Sequence, residues 1–481
     1  MPSVKKNFFY SSILTSANYF FPLITFPYVS RILGVTNIGI CNFIDSIINY
    51  FILFSMMGIS TLGIREVATN KGNPEKLRIA FSSLITLNGI TTLLGIILIL
   101  IATFTIPRLH QHSELMFFGS FKLLFNLFLI EWFYKGLEDF RYVTIRTIIV
   151  KCIYVVSIFI FVHESTDYPT YYLLTVLMVV VNSVINLFHS RHFVTFSFRD
   201  ISLKQYIKPY FTLGLYLLLT SMYVSFNVVY LGFACGDKAV GNYTTATKLY
   251  TIIIAFFTAF TGVMLPRMSA LIGEGKIDEF KLKVSKSINI LTDLSIPAII
   301  FMVILAPQIV TIISGSGYEG AITPMRIIMP LMFIIGYEQI LIVQSLMPLK
   351  QDKVIFTNSI IGATIGIVLN ILLVAKLQAT GSAIVWVTCE IALLILSQIS
   401  VTKKIGLRFP LSPFLKSVSA FIPLAILIII ASHYIHNSYI LLITTALMSS
   451  IYFVIIEFTV LKNSLITSLL SRFKRAFHNN C

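Results

Sequence analysis

Charge is scarce in this chain: Asp, Glu, Lys and Arg make up 12% of its 481 residues, against 57% hydrophobic ones. So small a polar stock cannot clothe a water-soluble globule, and the composition instead describes a polytopic membrane protein. Long polar stretches are missing too. The largest, around 189–208, is too short to bury a core of its own, so any chemistry takes place within the membrane. The five cysteines, Cys41, Cys152, Cys235, Cys389 and Cys481, are isolated and form no CxxC pair. They read as ordinary apolar residues rather than metal ligands or a redox couple. His110, His112, His433 and His436 lack supporting Cys or carboxylate neighbours, so no metal site is expected. There is no Walker A loop, hence no direct use of ATP, and no cofactor is expected. Nor is there a long external loop to carry catalytic acids and bases, which argues against an enzyme.

Apolar runs of about 20 residues, each long enough to cross roughly 30 Å of hydrocarbon as a helix, fill the chain instead. They predict spans at 9–31, 38–62, 80–104, 115–135, 144–163 and 170–190, then at 209–233, 242–267, 287–313, 324–347, 354–375 and 380–402, and finally at 416–435 and 438–461. The expected fold is therefore an all-α integral membrane protein of fourteen transmembrane helices: two six-helix bundles, 1–208 (with a basic connector) and 209–402, and a segment 403–481 holding two extra helices and a basic tail. The basic N-terminus lacks a small-residue cleavage site and is expected to remain as the first helix. Fourteen spans put both termini on one side, where most of the Lys and Arg gather, so that side is expected to be the cytoplasm. Topology then accounts for the formal net charge of +16, and no nucleic acid is needed.

The halves are related. RILGVTNIGICNF returns about two hundred residues later as ACGDKAVGNYTTATKLY. Gly34 and Gly39 bracket four residues, as do Gly236 and Gly241, and Arg65 follows Gly39 at the distance at which Arg267 follows Gly241. A repeated helix-pair unit explains this economically. The first helix of each half carries a polar stripe at helical spacing: Ser11, Thr15, Asn18, Pro22 and Thr25 in one, Thr212, Tyr216, Thr220, Tyr223 and Asn227 in the other. Lipid penalises such stripes, so Asn18, Thr25, Thr220 and Asn227 are expected to line one cavity between the halves, or else to pack helix against helix.

Ionisable residues inside spans are costly and so are candidates for function. Lys122, Lys151 and Lys248 would suit an anionic ligand, unless their stems merely snorkel to the interface. The deeper acids Asp45, Glu338 and Glu390 fit a coupling-ion site or counter-charges for those lysines; a structural ion pair is the alternative. Glu131, Asp293 and Glu457 lie nearer the cytoplasmic ends.

RILGVTNIGICNF opening the second helix, EWFYKGLEDFRYVTIRTIIVK joining the fourth and fifth, PLKQDKV, Asn370 and ATGSAIVWVTCE together resemble the Wzx-type O-antigen and capsule flippases. These belong to the multidrug/oligosaccharidyl-lipid/polysaccharide (MOP) superfamily, whose MATE-like architecture is then implied. The resemblance spans essentially the whole chain. It implies a flippase of the bacterial inner membrane that moves polyprenyl-diphosphate-linked oligosaccharide units from the cytoplasmic to the periplasmic leaflet by alternating access. Its partners would be the lipid-linked oligosaccharide and membrane lipids, H+ or Na+ as a coupling ion, and the polymerase and chain-length proteins of the pathway, with the chain itself a monomer. The alternatives are a MATE-like drug/cation antiporter, which would favour an acidic cavity, and a lipid II flippase.

Overall fold

In hydrocarbon every backbone N–H and C=O must be satisfied within its own segment, so apolar runs of this length fold as helices. The computed structural model describes residues 4–197 and 201–462. The basic tail that follows Lys462, with Cys481, lies outside the described residues. Among the described residues there is no strand, and ten helical segments are long and apolar enough to cross a membrane. The chain is a multi-pass membrane protein. It divides into two compact units, 1–244 with 370–378, and 245–369 with 379–481.

In the first unit, α1 (Val4–Met56) carries the chain through the first two predicted spans without a loop. The break between them is a kink at Gly34, with φ 74° and ψ 169°. After a second break at Met57 and Gly58 the helix resumes as α2 (Ile59–Asn70), which runs past the predicted end of the span at 62. Then come α3 (Pro74–Thr105), the short α4 (Pro107–His110) and α5 (Ser113–Asn126). The Asn73 side chain caps α3 by accepting from the backbone N–H groups of Glu75 and Lys76, both at 3.1 Å, with Pro74 at the first helical position. The predicted span at 115–135 is interrupted. Between α5 and α6 (Glu131–Gly136) the backbone unwinds, and Ile130 adopts φ 28°. α7 (Phe140–Phe161), α8 (Tyr168–Ser190) and α9 (Lys204–Cys235) follow, and α10 (Asp237–Gly273) starts here and runs on into the second unit. α1 is the hub, packed on α3, α5, α7 and α9. Leu62, Leu84, Trp132, Phe133, Tyr134 and Tyr210 form part of one buried core.

In the second unit, the predicted span at 287–313 is split by Leu305 into α11 (Ile277–Ile304) and α12 (Ala306–Ser314), where Pro307 suits the first turn of a new helix better than the interior of an old one. After α13 (Ile322–Ile328), α14 (Leu331–Gln339) continues as a π-helical stretch, Ile340–Leu346. α15 (Asp352–Leu369) passes through a π-helical turn at Asn370–Val374 into α16 (Ala375–Ile405), which is kinked at Gln378 with φ 52°. α17 (Leu411–Tyr434) and α18 (Ser438–Ile456) close the described chain. α11 packs against α14, α17 and α18, over a core that includes Phe280, Leu291, Tyr337 and Leu341.

Candidate functional site

Within the first unit the two repeat motifs meet. A Cβ added to Gly39 would lie 1.8 Å from the Asp237 carbonyl oxygen, and one added to Gly241 would lie 2.0 Å from that of Val35. Val35 follows Gly34 as Asp237 follows Gly236, so the contact is reciprocal. Both leading glycines also have the same backbone: Gly236, at φ 93° and ψ 177°, matches Gly34. That region is open almost only to glycine. Beside this crossing, the Arg108 Nη2 donates to Asp237 Oδ1 at 2.8 Å, and His112 Nε2 lies 3.6 Å from Asp237 Oδ2. Burial alone would raise the Asp237 pKa; the adjacent His112 ring and the charge and hydrogen bond of Arg108 outweigh it and hold the carboxyl below its usual value.

The structure pairs several of the charges that the sequence singles out. Lys122 on α5 meets Asp45 on α1, Nζ to Oδ1 at 2.5 Å, and Asn49 donates to the other carboxylate oxygen at 3.0 Å. Of the roles open to Asp45, this contact is that of a counter-charge, and Lys122 is not a cation remote from acids. Lys151 on α7 donates to Asn18 Oδ1 at 2.6 Å, and its ammonium stands 5.8 Å from the centroid of the Phe21 ring. The first polar stripe is thus joined to a cation. Its members differ in exposure, since Asn18 is exposed while Thr25 is buried and donates to the Phe21 carbonyl at 3.1 Å. Asn227 is buried and accepts from Asn370 Nδ2 at 2.6 Å, where the chain makes its π-helical turn. The side chain of Thr220 lies outside the described residues. Lys248 stands on the part of α10 that belongs to the second unit, apart in the chain from Lys122 and Lys151.

Two acids meet within the second unit. Glu338 on α14 and Glu390 on α16 are both buried, at 7% and 4% exposure, and lie close enough to influence each other electrostatically. Trp386 Nε1 donates to Glu390 Oε1 at 3.0 Å, and the Tyr250 ring stands edge-on to Trp386 at 5.2 Å. Two carboxyl groups brought together in one buried place make the pair a candidate cation-binding site.

A third polar cluster has Arg146 at its centre, a residue the sequence reading passes over. Its buried guanidinium donates to Glu131 Oε1 at 3.2 Å, Asn182 O at 3.3 Å and Thr147 Oγ1 at 3.0 Å. Lys135 donates to Glu131 Oε2 at 3.0 Å. Part of the signal was available, because an arginine inside the predicted span at 144–163 needs an acid, but the sequence does not say which of Glu131, Glu138 and Asp139 supplies it.

Residues 4–272 match the polysaccharide biosynthesis protein family, and residues 213–372 match the MatE family. Two curated relatives, each named "Putative O-antigen transporter", come from Escherichia coli (strain K12) and Shigella dysenteriae. The first is 23% identical over 393 residues, 81% of this chain and 94% of that protein. The second is 25% identical over 386 residues, 79% and 96% respectively. Among solved structures, a lipid II flippase MurJ in an inward closed conformation superposes with a TM-score of 0.79, at 15% identity, over 96% of this chain and 99% of that one. An inward-facing MATE family multidrug resistance transporter of the MOP superfamily gives a TM-score of 0.65 at 15% identity, over 82% and 94%. The fold is that of the MOP superfamily, and the relatives are transporters and flippases rather than enzymes. With more than half of its length matched, the chain belongs to the polysaccharide biosynthesis protein family.

Proposed function

We propose that the chain is a flippase that carries a polyprenyl-diphosphate-linked oligosaccharide unit, of O-antigen or capsule, from the cytoplasmic to the periplasmic leaflet of the bacterial inner membrane. The observation that carries this reading is the family membership, joined to two O-antigen transporter relatives that align over about four-fifths of the chain. A hydrophilic glycan cannot cross hydrocarbon unaided, so the protein binds it from one face and releases it at the other by alternating access of two six-helix repeats. In this reading the chain has fourteen spans with both termini in the cytoplasm. Asn18, Thr25, Thr220 and Asn227 line the path, and Lys151, Lys248 and Lys122 offset the diphosphate charge. Glu338 and Glu390 form the coupling-ion site, for H+ or Na+.

The test is a strain lacking its own repeat-unit flippase. This chain restores surface polysaccharide, and the protein purified from those cells retains a lipid that mass spectrometry identifies as a polyprenyl-diphosphate oligosaccharide. The MurJ-like fold keeps a second reading in play: recovery of lipid II, with rescue of a lipid II flippase mutant and no surface polysaccharide, establishes that reading instead.

A further inference from the structure

One end of the second unit holds a partly open cavity of about 440 Å³ between α11, the start of α17 and the residues that follow α18. Lys286, Lys416 and Lys462 line it, one from each. None of the three is ion-paired among the described residues, whereas Lys283, one turn earlier on α11, is spent on Glu279 at 3.5 Å. Three cations against one carboxylate, Asp293, leave the lining with a net charge of +2. Asp293 is buried and stands two turns beyond Lys286 on α11, about 10 Å of helix rise away from the lysine level. A ligand at that level therefore meets ammonium groups, with Ser285 and Asn289 as neutral hydrogen-bonding neighbours. Such a lining suits a phosphate.

The lysines also lie at the right depth. The predicted spans 287–313, 416–435 and 438–461 begin or end within one residue of them, and the ends of apolar spans mark the headgroup level. Lysines that only anchor topology need not converge; here three helices bring theirs to one cavity. The surroundings favour a lipid over dissolved phosphate. α17 and α18 are the most lipid-exposed of the ten candidate spans, with 22% and 11% of their apolar windows buried against 28% or more in the others. Leu411, Leu415, Ile422 and Ile426 share one face of α17, and each is more than half exposed. A lipid whose phosphate sits among the lysines can lay its acyl chains along that face.

We propose that this cavity binds the phosphate headgroup of an anionic phospholipid, held by Lys286, Lys416 and Lys462, with the acyl chains along the exposed face of α17. Basic pockets between transmembrane helices recognise anionic headgroups by this chemistry. The inference needs only a membrane protein and does not rest on the flippase reading.

The test is native mass spectrometry of the full-length protein, delipidated in a neutral detergent and titrated with phosphatidylglycerol, with phosphatidylcholine and with inorganic phosphate. The expected result is one phosphatidylglycerol that binds ahead of the rest, no equivalent phosphatidylcholine, and no displacement by inorganic phosphate. Lys286→Gln, Lys416→Gln and Lys462→Gln should each weaken that first binding about fivefold, the worth of one basic side chain at an anionic lipid surface, and the triple variant about a hundredfold. Arg at the same positions should retain it. Lys403→Gln combined with Lys404→Gln removes two charges at the end of α16, outside the lining, and should leave it unchanged. The three lysines are exposed, so the melting temperature of each variant without added lipid should match wild type. Equal binding of phosphatidylcholine overturns the proposal, and ready displacement by inorganic phosphate overturns its assignment to a lipid. Unchanged binding in the triple Gln variant, or an equal loss in the variant at Lys403 and Lys404, overturns the site.

Discussion

Gly39 and Gly241, equivalent positions of the two repeat motifs, each press against the other motif's backbone, so closely that a Cβ on either would lie within 1.8–2.0 Å of a carbonyl oxygen. Backbone cannot swing aside as a long side chain can, so the crossing itself would have to open. Gly39→Ala and Gly241→Ala are expected to destabilise the first unit by about 1–3 kcal/mol each, the usual range for overpacking. The measurement is thermal unfolding in nanodiscs. A melting temperature within a degree of wild type for both variants would show that the crossing is loose.

Arg146 is the most enclosed cation of the first unit's ion pairs, with 3% of its side chain exposed, whereas its partner Glu131 keeps 29%. Arg146→Met should therefore cost about 2–3 kcal/mol, less than the 3–5 typical of breaking a fully buried pair, because Glu131 retains Lys135 and some solvent. Glu131→Gln should cost more than Lys135→Gln, since it strands the buried guanidinium. Equal melting temperatures for those two variants would contradict this ordering.

The acid behaviour of the Asp237 contact has a definite sign. Its native pKa lies below the ordinary 3.8, so its stabilising contribution is fully present above that value and is lost as pH falls through the lower native one. The gap in melting temperature between wild type and Asp237→Asn should be constant from pH 7 down to about pH 5 and should close below about pH 4. Arg108→Gln removes one of the causes of the depression, so in that background the gap should begin to close at higher pH. A gap that widens on acidification would mean that the carboxyl is not held in its charged form.

For the lysines, export is the measure. Lys151→Gln should lower export at unchanged protein level, with Lys151→Arg milder, because the Asn18 bond needs a donor while the proposed role needs charge. Lys122 calls for a double variant. Lys122→Gln leaves Asp45 with Asn49 alone, and if Lys122 serves only as a structural partner, adding Asp45→Asn should restore export. Continued failure of the pair places the Lys122 charge in transport. Full activity of the Gln variants at Lys122, Lys151 and Lys248 would end the cationic-path reading.

The contact between the turns at Gly34 and Gly236 bears on gating. Arg31 and Lys238 flank it, and cysteines at these two positions, joined by a short bismaleimide linker, should hold the turns together. Transport should then stop and should be unaffected by the reagent in either single-cysteine protein. A crosslink that forms readily and leaves transport intact would remove this end of the molecule from the gate.

What the sequence settled by itself was everything that depends on local composition and period. Scarce charge and apolar runs determined the membrane and the helices, because a backbone in lipid has no other way to satisfy itself. The matched glycine spacings disclosed the repeat. Some predicted spans were nonetheless drawn too simply: 115–135 breaks at Ile130, a residue without turn chemistry of its own, and 287–313 breaks at Leu305, just before Pro307. The pairings were beyond the sequence altogether. Lys122 and Asp45 stand 77 residues apart, and Glu338 and Glu390 sit on different helices. A helix period says which residues share a face, but which face meets which neighbour depends on the rotation and crossing of packed helices. Only the tertiary structure decided that the candidate lysine and the candidate acid are each other's partner, and that two deep glutamates share one buried place.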